Sequence, residues 1–318
     1  MNNLTNQQKG SMLAFIGVVL ITPDSLLIRL SSIETWGMLF YRGAIPFLVV
    51  LTGLLFFYKK NFLKALFVIG YPGIFYTISF AACNITFIIS IQNTNVANTL
   101  VMIALAPMIS AILGVLFLKE KQEKKTWLAI FVTFAACIYF FYDSLDLGNI
   151  YGDIFGFITA FFLACSANIV RYAKERDLVP AAVLGKLCVA IFAFFFVESF
   201  ELIEKDQIIV PLMCVMCVAI PFVLVTIAPR FITAAEVNLF FLLETIIGPI
   251  WVWLVIKEQP SLETIIGGSI IILTIAIHSF LALKKHNRKL TTCFLKQKAY
   301  SRGNGKVNKK FLGSFFRL

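Results

Sequence analysis

Charge is what this chain lacks over most of its length. Of 318 residues only 14% are Asp, Glu, Lys or Arg, while 59% are hydrophobic, which excludes a soluble domain of ordinary composition. Acidic residues are absent beyond Leu283, where eleven Lys and Arg stand, whereas residues 1–283 hold seventeen charges of each sign. The body is neutral and the end of the chain is a cation. Histidine occurs twice, and there is no HExxH, no Walker glycine loop and no GxSxG, which argues against metallohydrolase, nucleotide-driven and serine-hydrolase chemistry. The seven cysteines are scattered; Cys214 and Cys217 form a lone CxxC in an apolar run, without the second pair a zinc site needs. They read as small apolar helix residues. The first apolar run has one lysine before it and no A-x-A-like cleavage site, so it reads as a retained span rather than a signal peptide.

What is present is a series of ten apolar runs long enough for about 20 residues each to cross a bilayer. They lie near 11–30, 35–57, 65–90, 95–118, 126–142, 153–172, 181–203, 208–229, 233–256 and 261–283. The even-numbered breaks carry the lysines and arginines, among them KKNFLK, KEKQEKK, RYAKERD and the basic end, and the odd-numbered breaks are poor in them. The positive-inside rule therefore puts both termini in the cytoplasm, with Arg29 the one misfit. Trp36, Trp127, Trp251 and Trp253 fall near span ends, where indoles reach the headgroups.

The sequence also repeats. Sliding the fourth span onto the ninth by 138 residues matches Ala97, Leu105, Ile109, Ile112, Leu116, Lys119, Glu120 and Thr126 with their counterparts, including LKEKQ on IKEQP at the same span end. A shift of 142 residues aligns Gly10, Phe15, Ile16 and Arg29 with Gly152, Phe157, Ile158 and Arg171. Each unit contains five spans, an odd number, so the second must enter the membrane from the opposite face. Inverted repeats of this kind mark secondary transporters, with their binding sites near the midplane.

The run NVANTLVMIALAPMISAILGVLFLKEKQEKKTWLAIF resembles the end of an EamA domain, the repeating unit of the drug/metabolite transporter superfamily, and TAAEVNLFFLLETIIGPIWVWLVIKEQPSLETIIGGSI is similar to its second copy. The resemblance covers roughly residues 10–283 and is specific to the superfamily. It implies an all-α integral membrane fold: ten transmembrane helices, as two inverted five-helix repeats around a central cavity. It further implies transport of small metabolites such as amino acids, sugars, nucleotide sugars or vitamins. Ala106-Pro107 keeps the family's pattern of an acidic or small residue before proline; the second copy has Glu244-Thr245, with its proline delayed to Pro249. The parts are then a cytoplasmic N-terminus over 1–10, repeats over 11–142 and 153–283, an outer connecting loop over 143–152, and a basic cytoplasmic tail over 284–318.

An ionisable group at the bilayer centre costs about 2.5–3.5 kcal/mol on insertion scales, so it faces protein or water. Glu244 falls near the midplane of the ninth span, with Asn238, Thr245 and Gly248 at helical spacing beside it; it either lines a cavity or packs, hydrogen-bonded, between helices. Asp24 and Arg42, on adjacent spans at similar depth, are expected to pair, as a vestibule element or as a structural buried pair. Pro23 frees the carbonyl of Val19 and bends the first span. Asn98 belongs to a stripe with Met102, Ala106, Ser110 and Gly114 that close helix packing also explains; its repeat counterpart is Glu236. Asn84 and Asn168 are cavity candidates on polarity alone. Lys186 lies about five residues from the cytoplasmic end of the run at 181–203, where it is expected to snorkel, and His278 reads as packed or interfacial.

Alternating-access transport of small organic solutes, amino acid-like or similar, is the leading expectation, with proton coupling or exchange left open. A flippase for lipids or lipid-linked metabolites would share the spans and the repeat, and a membrane-embedded enzyme fits worse for want of a metal or acid/base cluster. No cofactor, metal site or nucleic-acid partner is expected. The basic tail would meet anionic lipid headgroups, each basic residue adding about 1 kcal/mol near the surface, or play no role. The expected location is the plasma membrane, the inner one of a bacterium, as a monomer or homodimer.

Overall fold

Proline sets the first feature of the fold. The first span is two helices, α1 (Asn6–Ile21) and α2 (Asp24–Leu30), separated at Thr22 and Pro23. Pro23 has no N–H to give the carbonyl of Val19, and the hydroxyl of Thr22 donates to that oxygen instead, at 2.9 Å. Helices α3 (Thr35–Tyr58) and α4 (Gly70–Asn93) follow, then a fourth span broken into α5 (Val96–Ile103) and α6 (Ala106–Leu118), with Pro107 in the first turn of α6. Next come α7 (Ile150–Tyr172), α8 (Val179–Phe194), and a span made of α9 (Asp206–Met213), a wider-wound turn over Cys214–Ala219 and α10 (Ile220–Ile227). The last, α11 (Ala234–Ile256), runs without interruption through Pro249.

The structure is a computed structural model that describes residues 6–58, 70–119 and 150–259, with isolated residues between 128 and 135 and between 262 and 277. The runs read as the fifth and tenth spans, with Trp127 and His278, lie largely outside the described residues, as do the connecting loop up to residue 149 and the basic tail. All described residues except Ile277 fall in one unit, Met1–Ile275.

Among the described residues, seven helical stretches are long and apolar enough to cross a membrane: Asn6–Leu30, Thr35–Phe56, Gly70–Asn93, Val96–Leu118, Ile150–Tyr172, Asp206–Arg230 and Glu236–Ile256. Surface and interior are reversed relative to a soluble protein. Phe56 is 78% and Tyr71 81% exposed, while Asp24, Arg42, Lys186 and Glu244 are all buried. Hydrocarbon outside and charge inside suit a lipid solvent, and the chain is an integral membrane protein.

One span differs from its expected limits. The apolar run at 181–203 gives only the shorter helix α8, ending at Phe194. Aromatic side chains fill the remainder: Trp36 stacks on Phe196 at 4.8 Å, and Phe40 meets Phe200 edge-on at 5.0 Å.

Packing between the described helices repeats when the halves are exchanged. Helix α4 lies on α7 as α10 lies on α1; α8 touches α4 as α3 touches the Cys214–Ala219 turn; α5 and α6 touch α7 as α11 touches α1. The correspondence holds to the residue. A Cβ added to Gly10 would stand 2.7 Å from Ile232 and 2.8 Å from Phe231, and one on Gly152 would stand 2.6–2.7 Å from Asn93 and Thr94. Both pairs of neighbours are 138 residues apart. Lys119 and Lys257, matched by the same shift, end α6 and α11 and are the two described non-glycine residues with positive φ, at 55° and 65°. An uncommon conformation for lysine thus occurs at both copies of the K-E turn.

Candidate functional site

Helices of both halves line a cavity of about 140 Å³, room for on the order of ten waters. Its charged lining comes from four elements: Asp24 on α2, Arg42 on α3, Lys186 on α8 and Glu244 on α11. Much of the remaining wall is aromatic, from Tyr76, Phe80, Phe87, Phe222 and Phe241.

Asp24 and Arg42 form a two-pronged ion pair, Nη1 to Oδ1 at 2.6 Å and Nη2 to Oδ2 at 2.8 Å. Planar guanidinium and carboxylate match in this geometry, and each satisfies the other where water is scarce. The guanidinium carbon also lies 5.8 Å from the Phe87 ring centre, within the range of cation–π attraction.

Glu244 sits near the middle of α11, ten residues after its start and twelve before its end. It is 3% exposed, yet among the described residues its carboxylate has no hydrogen-bonding partner or ion pair. Six residues earlier Asn238 is 1% exposed, and neither its Nδ2 nor its Oδ1 has a partner among the described residues. Unsatisfied amide and carboxylate groups are costly in a low-dielectric interior, so this side of the cavity has polar capacity to spare.

Lys186 is a correction. It is 1% exposed and lines the cavity; it does not snorkel to an interface. Its ammonium donates to Asn84 Oδ1 and lies 5.4 Å and 5.7 Å from the ring centres of Phe80 and Phe222. The misreading followed from the span limits, because in a helix over Val179–Phe194 Lys186 lies at the middle rather than near an end.

Five sequence candidates therefore meet at the cavity: Asp24, Arg42, Asn84, Asn238 and Glu244. Three do not line it. Asn168 donates to the carbonyls of Ala164 and Ser110 and to the Ser110 hydroxyl, joining α7 to α6. Asn98 is buried and donates to Thr94 Oγ1 at 3.2 Å. Glu236 closes a capping box: its carboxylate accepts from the Thr233 N–H while Thr233 Oγ1 accepts from the Glu236 N–H. That use was visible in the sequence as Thr-x-x-Glu before an apolar run. Arg29, the topological misfit, pairs with Glu258 at 3.4 Å and donates to the Thr94 carbonyl. Tyr76 and Thr226, not singled out from sequence, line the cavity and bond each other at 2.9 Å. Among the described residues no three metal-ligating side chains converge; the arrangement offers charges, amides and rings for reversible binding.

A family model described as the EamA-like transporter family matches residues 8–142 and again 150–280. A crystal structure of another protein superposes with a TM-score of 0.66 at 12% identity, covering 86% of this chain and 98% of that one. At that identity the likeness concerns the fold alone. No curated protein matches the chain.

Proposed function

As the chain belongs to the EamA-like transporter family and carries two copies of its unit, we propose that it is a secondary transporter of small organic solutes working by alternating access. Ten spans form two inverted halves of five, both termini face the cytoplasm, and the solute occupies the cavity between the halves. The charge distribution of the breaks supports this orientation, and the exchange symmetry of the packing supports a site at the repeat interface. The protein resides in the plasma membrane, and its basic tail lies against anionic headgroups. With no nucleotide motif in the sequence, the driving force is an ion or solute gradient.

The observation that carries the reading is the carboxylate of Glu244, without a hydrogen bond or ion pair among the described residues, beside the amide of Asn238, without one among them either, both lining the cavity. A buried acid with no partner persists where it binds a proton or a cationic group in turn. Metabolite profiles of cells with and without the intact gene identify the solute. Uptake of that solute into proteoliposomes is then expected to be lost, or to change its pH dependence, in Glu244→Gln at normal protein levels. Unaltered transport by the variant removes Glu244 from the mechanism.

A further inference from the structure

At the cavity the two halves differ by one carboxylate. The 142-residue shift places Asp24 opposite Ser166, and the neighbours agree. Asp24 and Cys217 line the same cavity, Ser166 Oγ donates to Ser79 Oγ at 3.2 Å, and positions 79 and 217 are counterparts under the 138-residue shift. The cations correspond as well. Arg42 is the eighth residue of α3 and Lys186 the eighth of α8.

In the first half the cation is matched from within the chain, both guanidinium donors meeting both oxygens of Asp24. In the second, a hydroxyl stands where the acid would be. Among the described residues no carboxylate lies within ion-pair distance of the Lys186 ammonium, which has one neutral oxygen and two ring faces around it. An ammonium so buried is under-compensated, and it borders open volume.

We propose that Lys186 forms the binding subsite for a carboxylate of the transported solute, in the room that Ser166 leaves at the place that Asp24 fills from within the chain in the first half. The inference rests on the transporter reading above. A carboxylate fits better than a phosphate, because the twin subsite holds a carboxylate on a single cation, whereas a phosphate draws several charged donors. On the same cavity Glu244 and Asn238 accept a cationic nitrogen, and Tyr76, Phe87 and Phe241 provide apolar wall. The solute class is a compact zwitterion with an apolar side chain.

The test uses the full chain, purified in detergent and in proteoliposomes, with two probes: phenylalanine and phenylalaninamide. Phenylalanine is expected to raise the melting temperature and to be transported, and the amide, which lacks the carboxylate, is expected to do neither. Lys186→Met should weaken phenylalanine binding on the order of tenfold to a hundredfold, as for a lost charged hydrogen bond. Ser166→Asp supplies the missing acid in cis. It should raise the melting temperature without any probe and abolish the phenylalanine response, whereas Ser166→Asp combined with Lys186→Met should melt below either single variant. An amide response equal to that of phenylalanine overturns the subsite. So does a Ser166→Asp protein that keeps the phenylalanine response or melts no higher than wild type. Transport of another solute at an unchanged rate in Lys186→Met overturns the subsite while leaving the transporter standing. A gene whose loss alters no metabolite's distribution between cells and medium overturns the transporter reading itself.

Discussion

The seam between α4 and α7 and the cavity beside it are both rich in polar side chains, but they use them in opposite ways. Along the seam the hydroxyls are hydrogen-bonded: Ser79 to the Phe162 carbonyl, Thr159 with its proton shared between Thr86 and the Phe155 carbonyl, and Thr94 to Asp153. In the cavity Glu244 and Asn238 have no partner among the described residues and Lys186 has one amide oxygen. Polar groups in hydrocarbon are costly in either place. Satisfied ones hold helices together, and unsatisfied ones are available to a ligand.

The cavity's ion pair gives the largest expected effect. Arg42→Met leaves Asp24 buried and alone, which should destabilise the protein by about 3–5 kcal/mol. Adding Asp24→Asn should recover much of that loss, measured as thermal unfolding in detergent. If the single variant melts like wild type, the pair belongs with the available groups and the contrast between the regions fails at its strongest point.

Next in size is a pair of substitutions that should differ in sign. Asn168→Leu strips two hydrogen bonds between α7 and α6 and one within α7 and should cost about 1–3 kcal/mol. Asn238→Leu removes two buried amide atoms that have no partner among the described residues, so stability should hold or rise while transport falls. Equal destabilisation by both would show Asn238 to be structural.

These asparagines also mark how far the sequence could be read. Span positions followed from hydropathy because a bilayer demands runs of fixed length, and the repeat was legible because both K-E turns need the same unusual backbone at Lys119 and Lys257. Glu244 and the Asp24–Arg42 pair stood out because a charge in an apolar run must face protein or water. Asn98 and Asn168 could not be separated from Asn84 and Asn238, since composition gives polarity but not the partner that consumes it. Lys186 was lost to a different cause: hydropathy cannot distinguish the helix ending at Phe194 from the aromatic cluster that continues the apolar run.

The smallest effect tests the seam. Thr159→Val keeps the shape of the side chain and removes its hydroxyl, whose one proton is shared between Thr86 Oγ1 at 2.8 Å and the Phe155 carbonyl at 2.7 Å. Polar contacts between membrane helices average about 0.6 kcal/mol, because the separated helices find other partners. Thr86 Oγ1 keeps its own bonds to the carbonyls of Ala82 and Cys83, so no donor is stranded, and the loss should stay near that value. Thr159 also borders the cavity, and the contrast between the regions therefore demands that solute affinity remain unchanged while the melting temperature falls slightly. A clear drop in affinity with no change in melting would move this hydroxyl, and with it that edge of the seam, into the binding site.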